Sequence, residues 1–122
     1  AMRANLERVM TDAAYDHMLT LSARLADGLR EVIQERQLPW HVSNLGARAE
    51  FVCSARPPKN GTEPGAAMQP ALEHAIHMYM INRGVLIAPF HNMTRVCPDT
   101  TPANVDHLIA TVRDCCDELR AA

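Results

Sequence analysis

Lysine is almost missing from this sequence: Lys59 is the single one in 122 residues. It lies in a Pro- and Gly-rich stretch where a side chain is expected to be solvated, so imine chemistry through it is not expected. Aromatic residues make up only 4% and the formal net charge is −2. With no basic stripe and no aromatic RNA signature, nucleic acid is not an expected partner. No apolar run approaches the roughly 20 residues of a membrane span. The first residues lack the basic-then-apolar pattern of a secretory signal, which makes the cytoplasm the expected compartment. The four cysteines, Cys53, Cys97, Cys115 and Cys116, form no C-x-x-C pair and read as free, buried or half-buried thiols rather than a disulfide framework or a metal site. No G-x-G-x-x-G or other phosphate-cradling loop occurs.

What is present is enough for one domain with a real core. The chain is 48% apolar, which argues for folding over disorder. Leu6, Val9 and Met10 give residues 1–10 helical spacing, as in the tail of a helix begun elsewhere. Thr11 then supplies a cap. Met18, Leu21, Leu25, Leu29 and Val32/Ile33 predict a long amphipathic helix over residues 12–36, ended by Leu38-Pro39. Gly28 in its interior costs about 1 kcal/mol against alanine, a cost that close packing would explain. Residues 40–45 and 48–54 read as two strands about a Gly46-Ala47 turn, with Phe51 and Cys53 alternating against Glu50 and Val52.

Residues 55–70 hold four prolines and two glycines and predict a long loop. Helix returns over residues 71–82, with Leu72, Ala75, Ile76 and Tyr79/Met80 inward and Gly84 at the left-handed stop. Two short strands follow, Val85–Ala88 and Thr94–Cys97. Thr101-Pro102 opens the last helix, whose buried stripe is Val105, Leu108/Ile109, Val112, Cys115/Cys116 and Leu119. The expected fold is α+β, a two-layer sandwich of a small, mainly antiparallel sheet backed by helices in the order α-β-β-α-β-β-α.

Few residues point to chemistry. His74 and His77 stand three apart on a helix, a spacing that suits a metal, but no third ligand is near in sequence. Cys97 and His91 could approach across a strand pair, yet no nucleophile motif supports them. Both pairs read more simply as ordinary side chains. Arg95, a cation between apolar neighbours, could pair with Asp99 or hold an anion. His91, Asn92 and Met93 put an imidazole, an amide and a thioether in successive positions between two short apolar runs. That composition suggests a loop facing a site.

The run Asn82-Arg83-Gly84-Val85-Leu86-Ile87-Ala88-Pro89-Phe90-His91-Asn92-Met93, followed by Cys97-Pro98-Asp99-Thr100-Thr101 and Val105-Asp106, is more specific. It resembles the C-terminal small domain of class III, fold-type I, pyridoxal-phosphate-dependent aminotransferases, in the glutamate-1-semialdehyde aminomutase-like branch. Upstream, Tyr15-x-x-Met18-x-x-Leu21-Ser22-x-Arg24-Leu25-x-x-Gly28-Leu29 and Ser43-x-x-Gly46-x-x-x-x-Phe51 continue the resemblance, so residues 1–122 are covered as one such domain and 1–10 become the tail of an interdomain helix.

The resemblance implies a domain that closes over a cofactor cleft, with the loop from Pro89 to Met93 bordering the substrate pocket. His91, Asn92 and Met93 are then the pocket-border residues, and Arg95 a weaker carboxylate contact. Relatives that carry an arginine at the start of this loop differ from Ala88-Pro89 here, which puts an arginine-switch mechanism in doubt. The family's Schiff-base lysine, ring-stacking aromatic and phosphate cradle belong to a large domain with no counterpart in this sequence. No residue is therefore assigned to catalysis, cofactor or metal binding. Pyridoxal phosphate is implied only for a full-length parent, and the isolated chain, a truncated product or fragment, is expected to be inactive. Its implied partners are the missing large domain, the parent's amino acid and keto acid substrates, and further copies of itself in a homo-oligomer. The alternative is a non-catalytic ligand-binding or protein-interaction domain on the same scaffold.

Overall fold

The long helix forms where its apolar spacing and its cap agree. In a computed structural model that describes residues 2–57, 69–89 and 91–121, helix α1 (Met2–Arg8) precedes helix α2 (Asp12–Glu35). The Thr11 hydroxyl accepts the Ala14 N–H at 3.2 Å, and Asp12 places a negative charge in the first turn, where the helix dipole favours it. Met18, Leu21, Leu25, Leu29 and Val32 are all buried. The helix stops one step before the expected Leu38-Pro39. Gln37 adopts a left-handed φ of 51°, and the Leu38 N–H reaches back to the Ile33 carbonyl at 3.0 Å.

Strands β1 (His41–Leu45), β2 (Arg48–Val52) and β3 (Met93–Arg95) form a three-stranded antiparallel sheet in the order β1-β2-β3. Gly46 turns the hairpin with a φ of 59°. Helix α3 (Pro70–Ile81) lies between β2 and β3 in the chain, and helix α4 (Pro102–Ala121) ends it. Thr101 caps α4: its hydroxyl accepts the Asn104 N–H at 3.2 Å while Asn104 Oδ1 accepts the Thr101 N–H at 2.9 Å. Proline occupies the first helical position of α3 and of α4, where its missing N–H costs nothing.

Helix α2 is the hub, packing on β1, on β2 and along α4. The core gathers Leu25, Leu29 and Val32 of α2, Phe51 of β2, Ile76 and Met80 of α3, and Val112 and Cys116 of α4. Trp40 stacks on Phe51 with ring centroids 6.0 Å apart. At Gly28 the two long helices approach so closely that an added Cβ would overlap Ile109 Cδ1 and stand 3.0 Å from its Cγ1. That contact is the reason for a glycine inside α2. Ion pairs Arg24–Asp106 and Arg36–Asp117 line the same helix seam.

The α+β class holds, but the order among the described residues is α-α-β-β-α-β-α. Val85–Ala88 is not a strand. Its Val85 N–H closes helix α3 on the Met80 carbonyl at 2.9 Å, and its backbone tie to β3 is the Ala88 N–H on the Met93 carbonyl, also 2.9 Å. The last strand runs Met93–Arg95 rather than Thr94–Cys97, because Arg95 pairs with Arg48, the residue at which β2 begins. Ala75 of α3 and Leu119 of α4 are exposed, against expectation. Most of the expected 55–70 loop, with Lys59, lies outside the described residues, as does Phe90.

Candidate functional site

The loop from Ala88 to Met93 is closed at its neck and anchored at one side chain. Val85 and Ile87 are buried while Leu86 between them is 82% exposed, so the segment entering the loop is pinned by alternate residues. The Ala88–Met93 bond closes the neck, and the His91 N–H lies 3.5 Å from the Ala88 carbonyl. Asn92 takes a left-handed φ of 44°, a conformation asparagine tolerates better than most residues.

That backbone turn sends the Asn92 side chain inward. It is 3% exposed, and its Nδ2 donates to Cys53 Sγ at 3.9 Å. Asn92 therefore anchors the loop to the end of β2, while His91 on one side is exposed and Met93 on the other is half-buried. Of the three successive loop residues named from sequence, the structure separates one anchor from two outward groups.

Register then places a charged row beneath His91. Met93 pairs with Glu50 and Arg95 pairs with Arg48 across β2 and β3; Leu45 and Ser43 complete the two rows on β1. Side chains two apart on a strand share a face, so Ser43, Leu45, Arg48, Glu50, Met93 and Arg95 all belong to the face opposite buried Ala49, Phe51 and Thr94. Glu50 is the hinge of this group. Its side chain is 15% exposed, its Oε2 accepts from Arg48 Nη2 at 3.1 Å, and its Oε1 lies 3.8 Å from His91 Nδ1. Arg95 is exposed, and among the described residues no ion pair joins it to Asp99.

Sequence reasoning missed Arg48 and Glu50. The signal was there, in two opposite charges spaced two apart on a strand, but Arg95 and His91 join them only through register and loop closure.

The other candidates stay apart from this group. Cys97 is exposed, and its thiol is shifted below the ordinary value chiefly by the Thr100 hydroxyl, which donates to Sγ at 3.3 Å. No hydrogen bond links it to His91 among the described residues. The imidazoles of His17, His41 and His107 donate to the carbonyls of Thr100, Ser54 and Arg83. His77 Nδ1 is buried without a partner, yet no group of three metal-capable side chains occurs among the described residues. Glu73 is buried and accepts the Gln69 N–H at 3.3 Å at the start of α3. An open groove between α2 and α4, lined by Gly28, Ile109 and Ala110, contains none of the candidate pocket-border residues His91, Asn92, Met93 and Arg95. Since the described residues include no lysine, they offer no imine partner for a pyridoxal cofactor.

No family model matches the chain. Curated proteins do. It is 33% identical over 86 residues to a glutamate-1-semialdehyde 2,1-aminomutase of Thermomicrobium roseum, a match covering 70% of this chain and 20% of that protein. A protein of the same name from Anaeromyxobacter sp. is 32% identical over 82 residues, covering 67% and 19%. Among solved structures, a glutamate-1-semialdehyde aminomutase of Pseudomonas aeruginosa PAO1 superposes with a TM-score of 0.94 at 44% identity, covering 98% of this chain and 26% of that one. A form of a P. aeruginosa PAO1 aminomutase in complex with PMP gives 0.93, also at 44%. An ω-transaminase of Sphaerobacter thermophilus shares the fold, with a TM-score of 0.79 at 20% identity. The chain thus spans about a fifth to a quarter of the length of these relatives.

Proposed function

We propose that this chain, which is related over nearly its whole length to a quarter-length part of the class III pyridoxal-phosphate-dependent aminotransferases, is the C-terminal small domain of an enzyme of the glutamate-1-semialdehyde aminomutase-like branch. In that role it closes over the cofactor cleft of a large domain. The enzyme as a whole moves an amino group between an amino acid and a keto acid, or within one molecule. The observation that carries this reading is the 44% identity at a TM-score of 0.94 over 98% of the chain.

The loop geometry supports a positional role. His91 and Met93 flank the pocket border, with Asn92 holding the loop from below and Arg95 at the end of the adjoining strand. Glu50 accepts from the Arg48 guanidinium at 3.1 Å and lies 3.8 Å from His91 Nδ1. Chemistry through an imine stays with the large domain, because Lys59 is the sequence's one lysine. These 122 residues by themselves neither hold pyridoxal phosphate covalently nor transaminate. A cytoplasmic setting fits this role, and no described helix is long and apolar enough to cross a membrane. Exposed Met2, Leu6 and Val9 on and beside α1 favour contact with the remainder of the enzyme or with further copies.

Two measurements test the reading. Incubation of the chain with pyridoxal phosphate, followed by borohydride and intact mass, is expected to leave no stable adduct; a stoichiometric adduct on Lys59 would overturn it. Exchange of the matching quarter of the P. aeruginosa aminomutase for this chain is expected to give a chimera that retains bound cofactor and its absorption band. A chimera that folds but loses the cofactor would favour a non-catalytic binding or interaction domain instead.

A further inference from the structure

The two oxygens of the Glu50 carboxylate are divided between two neighbours. Glu50 lies on the middle strand, paired with Ser43 on β1 and with Met93 on β3, so its backbone is held from both sides. Oε2 accepts from Arg48 Nη2 at 3.1 Å, and Oε1 is left for His91 Nδ1, 3.8 Å away. The Glu50 side chain is 15% exposed against 59% for His91. The carboxylate is therefore the fixed member of the pair and the imidazole the accessible one. The loop is tied down on both sides of His91. Asn92 sends its amide to Cys53 Sγ, just past the end of β2, and the Ala88 N–H closes the neck on the Met93 carbonyl. At 3.8 Å the Glu50–His91 contact is an ion-pair distance, and hydrogen-bond length lies about 1 Å closer. Contacts of this kind are often long before a ligand binds and tighten with it.

We propose that Glu50 is a positioning residue for His91: its carboxylate takes the proton-bearing Nδ1, which leaves Nε2 as a free acceptor for the amino group of an amino acid substrate. Which imidazole nitrogen carries the proton is set by the partner of the other nitrogen or of its own N–H, and an ionised carboxylate can only accept. His17, His41 and His107 each spend a ring nitrogen on a backbone carbonyl. Among the described residues, His91 is the one imidazole set against a carboxylate. Its other nitrogen belongs to a ring that is largely exposed. A neutral ring held in this way offers a lone pair, which suits an N–H donor and not a carboxylate. The substrate-facing part of this inference rests on the small-domain reading above; it adds Glu50 and the substrate group that His91 receives.

The tautomer can be read in the chain itself. Nitrogen-15 imidazole spectra at about pH 9, well above the ordinary imidazole value, are expected to show His91 with its proton on Nδ1, the less common neutral form of free imidazole. Glu50→Met is expected to return His91 mainly to the Nε2–H form while the other imidazoles keep their spectra. A proton on Nε2 of His91 in the unsubstituted chain, or an unchanged His91 spectrum in Glu50→Met, would overturn the assignment. The chimera with the P. aeruginosa aminomutase then tests what Nε2 receives. There Glu50→Met and His91→Phe are each expected to raise about fivefold the concentration of glutamate 1-semialdehyde that half-saturates its change of the cofactor absorption band. The double variant is expected to go no further than His91→Phe alone. An unchanged half-saturation in Glu50→Met, or effects that multiply, would overturn the positioning role and leave the small-domain reading intact. Failure of the unsubstituted chimera to hold cofactor would overturn that reading and the substrate contact together, and the tautomer would still be decided by the chain alone.

Discussion

The two faces of the sheet are built from the same three strands and obey different rules. On the inner face Ala49, Phe51 and Thr94 are buried and Val42 packs on the core, with α2 against β1 and β2, and the polar groups Asn44 and Thr94 are answered. Asn44 Nδ2 donates to Ser22 Oγ at 2.8 Å, and Thr94 Oγ1 donates to the Ala49 carbonyl at 3.1 Å. On the outer face Arg48 opposes Arg95 and Leu45 stands in solvent. The inner face is arranged for this chain's own stability.

Substitution separates the two faces most sharply. Phe51→Ala removes a fully buried ring that also stacks on Trp40 and should cost about 3–5 kcal/mol in denaturant unfolding. Leu45→Ala, on the outer face of the neighbouring strand, should stay within about 0.5 kcal/mol. Equal losses at the two positions would mean that the outer face is covered within the chain itself.

The thiols extend the comparison to the core and the rim. Burial pushes Cys53 and Cys115 up to about 12 and Cys116 to about 11. A thiol whose folded value is raised favours the native state fully below its unfolded value. Stability should therefore hold up to about pH 9 and fall as pH rises from there toward 11–12. A thiol-exchange reagent at pH 8 should titrate Cys97 at once and the other three only on unfolding; two or more rapid equivalents would contradict the burial.

At the helix seam, Gly28→Ala gains about 1 kcal/mol of helix propensity but meets Ile109, and overpacking of this kind costs about 1–3 kcal/mol. A net loss of about 1 kcal/mol is expected. Adding Ile109→Val removes the overlapping Cδ1 and should recover most of the loss relative to Ile109→Val alone. Additivity of the two changes would break the close-approach account.

The smallest effect belongs to the Arg36–Asp117 pair, in which the arginine is half-buried and the carboxylate exposed. The Arg36 hydrogen bond holds the Asp117 carboxyl below its ordinary value of 3.8. Its contribution is present above that value and is lost as pH falls through the lower folded value. Asp117→Asn should flatten the acid limb of the stability curve below about pH 4 and leave the alkaline limb unchanged.

Much of the fold was legible because local chemistry and periodicity agreed. Thr11 and Thr101 announced the two long helices, Gly46 the hairpin, and Gly84, with a φ of 78°, the end of α3. The false strand at Val85–Ala88 shows where periodicity misleads. Its buried Val85 and Ile87 alternate as a strand would, but the Val85 amide is occupied by the helix before it. Gln37 was invisible as a stop signal because side-chain identity there argues against a left-handed turn that the α2 carboxyl end nonetheless adopts.

The candidate site divides along the same line. Sequence by itself determined the α+β class, the capped helices, the inward Phe51 and Cys53, and the polar loop His91-Asn92-Met93, since each depends on neighbours within a few residues. Tertiary structure alone decided that Asn92 points into the core, that Glu50 lies between Arg48 and His91, and that Arg48 faces Arg95. Those relations join residues about forty positions apart through strand register, and no local preference of either residue encodes its partner.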